Sequence, residues 1–219
     1  MPNHRTEFSA PFLVLCEGQG DQGFYERLLS LHRLADKFNV SVPINTGKDG
    51  FGEYLGASSG APTFREFVKA ILVIADNDDD PVKAFADVQK QLKDTDHFPV
   101  PDADKTVSRR QGVQSIVVLM LPFGRPGNLE TLCVEAAEEK WQLTAHIENY
   151  LAQTEAKDWG LSKQSKMKMQ CVLAATCKKQ PDITLAGHWK QKDKYHVPIT
   201  SKRFDDVVAF LKGFEALVK

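Results

Sequence analysis

Acidic residues follow two predicted strands, at positions where they could share a divalent cation. Glu17 comes directly after the apolar run Phe12–Cys16, and Asp76 and Asp78 follow the apolar run 70–75. Carboxylate oxygens are hard ligands that suit Mg²⁺ or Mn²⁺. In an extended backbone, alternate residues such as Asp76 and Asp78 point the same way and can hold one ion. The pattern therefore predicts a Mg²⁺ or Mn²⁺ site at the ends of two strands.

Three further acids are candidate ligands for this site. Asp21 follows Glu17 by four residues, Asp80 ends the acidic run 76–80, and Glu130 follows the apolar run 115–121. Two ions would need more carboxylates than Asp76 and Asp78 offer, which is why these three are added. The alternative for the run 76–80 is a solvated turn that caps the next helix, since aspartates are favourable near helix N-termini.

A glycine pattern in the same loop suggests a different ligand. Gly18, Gly20 and Gly23 match the G-x-G-x-x-G fingerprint of dinucleotide-binding proteins. However, Glu17 and Asp21 would repel the pyrophosphate that such a loop holds. Because this reading also leaves the acidic run at Asp76 unexplained, we favour a metal site over a nucleotide cofactor.

The elements that must position these acids alternate between strand and helix. Short apolar runs predict strands at 12–16, 40–44, 70–75 and 115–121, and helical periodicity separates them. This order predicts an α/β fold, a parallel sheet flanked by helices, in residues 10–135. Residues 136–219 contain only helical patterns and are predicted to be a helical extension packed on that core.

Composition excludes several classes of protein. The net charge is -1, so no global field attracts nucleic acid or membrane, and no apolar run approaches the ~18 residues of a membrane helix. The four cysteines form no C-x-x-C pair, which favours reduced thiols in a cytoplasmic protein. We therefore expect a cytoplasmic protein with no membrane partner.

Basic residues are concentrated late in the chain. Residues 157–203 carry 11 Lys and Arg against 3 Asp and Glu, as expected of a surface that tracks phosphates. The candidate nucleic-acid-binding residues are Lys48, Lys163, Lys190 and Lys192. Trp189 and Tyr195 lie among these bases and could stack on nucleobases, or could simply be packing residues.

The order of these motifs resembles the Toprim domain of topoisomerases, DnaG-type primases and OLD-type nucleases. The resemblance rests on Glu17-Gly18 after one strand and on Asp76-x-Asp78 after a later one. The segments 45–51 and 127–130 also resemble a small bacterial Toprim-like family of unassigned function. By resemblance, Glu17 is a general acid/base or metal ligand, and Asp76 and Asp78 coordinate Mg²⁺.

The resemblance also assigns roles to residues outside these motifs. Asp21 matches a second acid of nuclease-type members, and Lys166 or Lys168 matches a lysine near their metals. These assignments imply a Toprim-like Rossmannoid sheet and a Mg²⁺-dependent nuclease that cleaves DNA or RNA. The alternatives are a non-catalytic module that binds nucleic acid or protein through a structural or regulatory metal site, and a nucleotide phosphotransfer enzyme.

The sequence also raises the question of protein partners. OLD-type nucleases usually carry an ATPase, and this chain has no Walker A motif, so an ATPase or another protein is an expected partner. The apolar helical stripe from Phe204 to Leu217 is either core or the contact face of a homodimer.

Overall fold

The computed structural model describes residues 7–44, 50–191 and 196–219. Its strands are β1 (Phe12–Cys16), β2 (Phe38–Ser41), β3 (Ala70–Asp76), β4 (Val107–Ser108) and β5 (Ser115–Leu121). They form one sheet in the order β2-β1-β3-β5-β4. β1 pairs in parallel with both β2 and β3, and β3 pairs in parallel with β5. The predicted α/β fold is confirmed.

The sheet is mixed rather than fully parallel, which corrects the sequence-based expectation. The edge strand β4 pairs antiparallel with β5 through Val107–Val117 and Ser108–Ile116. It lies in the segment 94–112, whose polar, proline-containing sequence predicts a loop. A strand of two half-buried residues carries too little apolar periodicity to be recognised in a sequence.

The second strand starts earlier than its sequence pattern indicates. Phe38–Ser41 is fully buried and pairs with β1, whereas the prediction placed a strand at 40–44. The preceding helix ends at Leu31, where Arg33 adopts a left-handed conformation (φ 58°). A left-handed residue just past the last turn commonly ends a helix. Because the helix ends here, the chain is extended by Phe38, which pairs with β1.

The helices surround this sheet. They are α1 (Gln19–Leu31), α2 (Phe51–Ser59), α3 (Pro62–Phe67), α4 (Pro81–Asp94), α5 (Leu129–Trp141), α6 (Thr144–Ala152), α7 (Leu161–Thr176), α8 (Leu185–Lys190) and α9 (Asp205–Val218). Short 3₁₀ helices span Glu155–Asp158 and Lys202–Phe204. No helix in the described ranges combines the length and apolarity needed to cross a bilayer.

Side chains alternate between the two faces of the sheet and build a separate core on each. Leu13, Leu15 and Val73 pack with the helices α2, α3 and α4. Val14 and Leu72 point the other way and pack with α1, α5, α7 and α9. The result is a three-layer arrangement with the sheet in the middle.

The helical C-terminal region covers one of these faces. Phe214 of α9 packs edge-on against Phe12 of β1, with ring centroids 5.3 Å apart. Phe204, Val207 and Leu211 are buried in the same core. The apolar stripe from Phe204 to Leu217 therefore supplies core packing, one of the two roles expected for it.

Candidate metal centre

The candidate centre lies at the topological switch point of the sheet, where successive strands are added first on one side and then on the other. β1 lies between β2 on one side and β3 on the other, so the strand order changes direction at β1. In open parallel sheets, ligands bind beyond the carboxyl ends of the strands at this point. Glu17 follows β1 directly, and Asp76 is the last residue of β3. The strand order therefore brings these two acids to the switch point.

Glu17 and Asp76 are joined by a hydrogen bond. The backbone N–H of Asp76 donates to Glu17 Oε1 over 2.8 Å. The bond lies just past the last paired residues of the two strands, Cys16 and Ile74. The Glu17 carboxylate is therefore held at the end of the neighbouring strand.

Asp76 in turn faces the start of helix α5. Its Oδ1 accepts the backbone N–H of Leu129 over 3.0 Å, and its side chain is buried. Asn128 caps α5 by accepting the N–H of Thr131 over 3.0 Å. An anion at a helix N-terminus is favoured by the helix dipole and by donors that lack partners inside the helix. The cap places Glu130, in the first turn of α5, beside the same centre.

Asp21 reaches the centre from the first turn of α1. Its Oδ2 accepts the backbone N–H of Gly18 over 2.8 Å, which fixes the loop between β1 and α1. The Asp21 side chain is partly buried rather than fully exposed. The start of α1 is therefore ordered around the Asp21 carboxylate, whose negative charge would repel a pyrophosphate bound at this helix end.

The carboxylates repel one another strongly in the absence of a cation. Burial, with the neighbouring charges of Glu130 and Glu17, raises the pKa of Asp21 to about 7. Burial and the charges of Glu17 and Asp21 also raise the pKa of Asp76 well above its usual range. Burial raises the pKa of Glu130, which Lys166 partly offsets. Such a cluster disfavours its own ionisation, and a bound cation relieves this cost.

Lys166 is the lysine that faces this cluster. Burial acts to lower its pKa, but the charges of Glu130 and Asp76 outweigh it and raise the Lys166 pKa above the usual value. Lys168 lies on another side of α7 and forms an ion pair with Glu148 of α6, with 3.0 Å between Nζ and Oε1. The structure thus separates the two lysines that the sequence offered as alternatives, and Lys166 is next to the acids.

Asp78 sits in a constrained turn after β3. Its φ of 49° places it in the left-handed region, which aspartate tolerates better than most residues. Its carbonyl accepts the N–H of Gly127 over 2.7 Å, which ties the loop after β3 to the loop after β5. Gly127 has φ 132°, and a Cβ there would lie 2.8 Å from Thr131 Oγ1. This turn requires glycine.

The next two aspartates bind the ends of helices. Asp80 Oδ1 accepts the backbone N–H groups of Val82 and Lys83 and so caps α4. Asp79 Oδ1 accepts the N–H of Ser162, in the first turn of α7, over 3.0 Å. The helix-capping alternative for the acidic run is therefore confirmed for Asp80, which was a candidate metal ligand.

An open cleft of about 680 Å³ adjoins the acidic cluster. One set of lining residues comes from the loop after β3 and the start of α4, including Asp78 and Lys83. The other set comes from the segment before α7 and its first turns, including Trp159, Lys163 and Lys166. Lys166 and Asp78 line the cleft, and Lys166 also faces Glu130 and Asp76, so a ligand in the cleft would lie next to the candidate centre.

The remaining predicted nucleic-acid contacts are placed differently. Lys163 lines the cleft, whereas Lys190 lines a separate groove of about 400 Å³ between α1 and α8. Lys48 and Lys192 lie outside the described residues, as does Tyr195. Trp189 is only 5% exposed and packs edge-on against Phe24, so it is a packing residue.

The donor set fits a hard divalent cation in its chemistry, although the side chains are loosely arranged. The cluster of Glu17, Asp21, Asp76 and Glu130 offers only carboxylate oxygens, and it holds more negative charge than Lys166 balances. Within the described parts of the chain, no three acidic, histidine or cysteine side chains form a ready-made metal site. Binding would therefore require side-chain rotation toward the ion.

Sequence reasoning missed several residues that build this region. Asn77 is buried and donates to the carbonyls of Pro122 and Arg125, which orders the loop after β5. Asn128 caps α5 and also donates to the Ser162 carbonyl over 3.0 Å. The position of Asn128 just before an apolar helical run is a recognisable cap signal, but its contact with Ser162 spans 34 residues and has no local signature.

Comparisons with solved structures give weak overall similarity. Two structures of the C-terminal region of the Xanthomonas campestris pv. campestris OLD protein, phased with iodine and with mercury, match 96% of this chain and 98% of theirs. Sequence identity is 11% and 10%, and the TM-scores are 0.41 and 0.40. No curated protein matches the chain by sequence.

A family model gives a match over nearly the whole chain. The model covers residues 11–215 and is described as a protein of unknown function, DUF3226. The matched range includes every acid of the candidate centre and both walls of the cleft. The chain therefore belongs to the DUF3226 family.

Proposed function

We propose that the chain is a Toprim-like, Mg²⁺-dependent nuclease whose centre is the acidic cluster at the ends of β1 and β3. The observation that carries this proposal is the Glu17–Asp76 pair at the switch point of the sheet, joined by a 2.8 Å hydrogen bond. Glu17 and Asp76 are the two positions at which the sequence resembles the Toprim motifs. The resemblance is a match of short sequence motifs and does not include the order of strands in the sheet. The contact between Glu17 and Asp76 depends on that order and is therefore an independent observation.

The residues of the centre suit phosphodiester hydrolysis. When bound, Mg²⁺ would neutralise charge on the phosphate and activate the attacking water. Glu17, Asp76 and Asp78 would hold it, with Asp21 and Glu130 completing the donor set. Lys166 stands at the cleft side of this set, where it can pair with a non-bridging phosphate oxygen.

Proton transfer to the leaving oxygen also needs an acid near neutral pH. Glu17 is the proposed general acid/base because it lies at the switch point and is held in place by the Asp76 N–H. Asp21 lies in the same cluster, where burial and the charges of Glu130 and Glu17 raise its pKa to about 7 in the metal-free protein.

A second candidate function is a binding module without catalysis. The observation in its favour is that the same carboxylates already accept backbone N–H groups: Asp76 from Leu129, Asp21 from Gly18 and Glu17 from Asp76. In this alternative the acids order the loops, and a metal would have a structural or regulatory role.

Cleavage assays separate the two functions. Circular single-stranded DNA, circular duplex DNA and RNA are incubated with wild type, Glu17→Gln and Asp76→Asn in Mg²⁺ or Mn²⁺. Glu66→Gln is the matched control, because Glu66 is exposed on α3, which precedes β3 and so lies toward the other end of the sheet. We expect cleavage by wild type and the control and its loss in the two centre variants. Equal cleavage by all four proteins, or none by any, would reject the nuclease.

A further inference from the structure

The cleft beside the acidic cluster carries an exposed aromatic side chain. Trp159 lines this cleft and is 44% exposed, whereas Trp189 is 5% exposed. Large aromatic side chains are usually well covered in folded proteins. An indole left open inside a concave surface is available to a flat ligand.

The backbone of Trp159 is fixed, so the indole is presented from a rigid support. Its N–H donates to the carbonyl of Ala156, which is buried, over 3.2 Å. Its carbonyl accepts from Gln164 Nε2 over 2.9 Å. The next residue, Gly160, begins α7, so the indole stands beside the first turn of that helix.

Charged groups of both signs lie near Trp159, and the lysines among them can pair with phosphates. Lys163 and Lys166 line the cleft from the same wall as the indole, and Lys83 lines it from α4. Five aspartates also line the cleft, and two of them, Asp79 and Asp80, accept backbone N–H groups at helix ends. The cleft thus combines a stacking surface and three lysines with carboxylates whose charge a cation at the neighbouring centre would offset.

We propose that the Trp159 cleft binds single-stranded nucleic acid, with the indole stacked on an unpaired base next to the phosphate at the acidic centre. In a duplex, the base faces are covered by neighbouring base pairs, so an indole in a cleft wall has no face to stack on. The cleft volume of about 680 Å³ lies within the range of small-ligand sites and fits a nucleotide unit rather than a helix. This inference names the substrate class of the proposed nuclease and rests on that function.

Binding is measured separately from cleavage. A fluorescently labelled 12-nucleotide single strand and a hairpin duplex are titrated with protein in Ca²⁺, an oxygen-liganded cation used in place of Mg²⁺ so that the centre is occupied and the nucleic acid stays intact. Trp159→Ala removes the stacking surface and Trp159→Phe keeps a smaller one. Tyr150→Ala is the control, because Tyr150 is 54% exposed on α6 and does not line the cleft.

The expected result is a loss of single-strand affinity of roughly tenfold in Trp159→Ala, since stacking on one base has about that effect. Trp159→Phe should lose less, and Tyr150→Ala should bind like the parent protein. Equal single-strand affinity in Trp159→Ala and Tyr150→Ala would overturn the inference. Absence of any binding would also overturn it and would leave the indole as a docking point for a protein.

The two proposals fail in different ways. Wild type that cuts nucleic acid only with metal, but binds a single strand independently of Trp159, refutes the stacking inference alone. Wild type that never cuts, but binds a single strand in a Trp159-dependent way, refutes the nuclease and keeps the stacking site.

Discussion

Glu17 Oε1 lies 2.8 Å from the backbone nitrogen of Asp76, so the ends of two neighbouring parallel strands are joined through a carboxylate. The contact spans 59 residues of sequence. It fixes Glu17 relative to β3 and brings the Asp76 side chain to the same rim. Because the buried Asp76 carboxylate also meets the start of α5, three elements converge on one negatively charged point.

The metal-free protein should become less stable as the pH rises. Asp21 has a pKa of about 7 in the folded protein against 3.8 ordinarily, and the pKa values of Asp76 and Glu130 are raised too. Between these pH values the folded state binds more protons at these groups than the unfolded state, so their contribution to stability is greatest below about pH 4 and declines toward pH 7. Chemical denaturation in EDTA should give a free energy of unfolding lower at pH 8 than at pH 5 by roughly 1–3 kcal/mol.

Asp21→Asn supplies the control for this pH dependence. The amide oxygen can still accept the Gly18 N–H, but the charge is gone. The variant should therefore be less sensitive to pH between 5 and 8 than wild type. A wild-type protein that is more stable at pH 8 than at pH 5 would contradict the predicted repulsion.

The choice of substitution at Asp76 should decide its effect on stability. Asp76→Asn removes a repelled charge and keeps an acceptor for the Leu129 N–H, so we expect the metal-free variant to melt above wild type at pH 8. Asp76→Ala also relieves repulsion but leaves a buried N–H without its partner, at a cost of about 1–3 kcal/mol. Thermal melts in EDTA should rank asparagine above alanine. The reverse order would show that the Leu129 contact contributes little.

Lys166 and Lys168 should differ in their effect on activity. Lys166 faces Glu130 and the cleft, whereas Lys168 is paired with Glu148. Lys166→Ala should lower kcat/KM for cleavage by roughly 100-fold, the lower end of the range seen when one group that stabilises developing charge is removed. Lys168→Ala is the matched variant on the same helix and should stay within about twofold of wild type. Similar losses of kcat/KM in both variants would mean that Lys166 has no specific role and that both lysines act only through the positive charge they add to the protein.

Gly160 should be intolerant of a side chain because of Asp79. A Cβ at position 160 would overlap the Asp79 carboxylate, which holds the N-terminus of α7 through Ser162. Gly160→Ala should therefore lower the free energy of unfolding by about 1–2 kcal/mol. The double variant with Asp79→Ala should be less destabilised than the sum of the single variants, because both disturb one contact. If the losses of unfolding free energy in the two single variants add up in the double variant, Gly160 and Asp79 do not act through one contact.

Several features of the fold and centre follow from local sequence. The short apolar runs predicted the positions of β1, β3 and β5, and the acids after β1 and β3 were expected to meet at one rim. This expectation needed only the rule that parallel strands end at a common edge. The capping role of Asp80 was also foreseeable, since Pro81 follows it at the first position of α4.

Other features depend on contacts between distant parts of the chain. Lys166 and Lys168 are two residues apart on α7 and face in clearly different directions, so their roles depend on how that helix is rotated against α5 and α6. Trp159 and Trp189 both lie in the basic region 157–203, so the local sequence does not distinguish them. Tertiary packing leaves Trp159 exposed and buries Trp189. The short edge strand β4 exists because β5 offers it a partner.

The central claim is that the carboxylates at the ends of β1 and β3 bind a divalent cation. Isothermal titration of Mn²⁺ into wild type, Glu17→Gln, Asp76→Asn and Glu66→Gln tests it most directly. The prediction is saturable binding to wild type and to Glu66→Gln, with affinity lowered at least tenfold in the two centre variants. Binding of equal affinity in all four proteins, or no saturable binding to wild type, would contradict the claim.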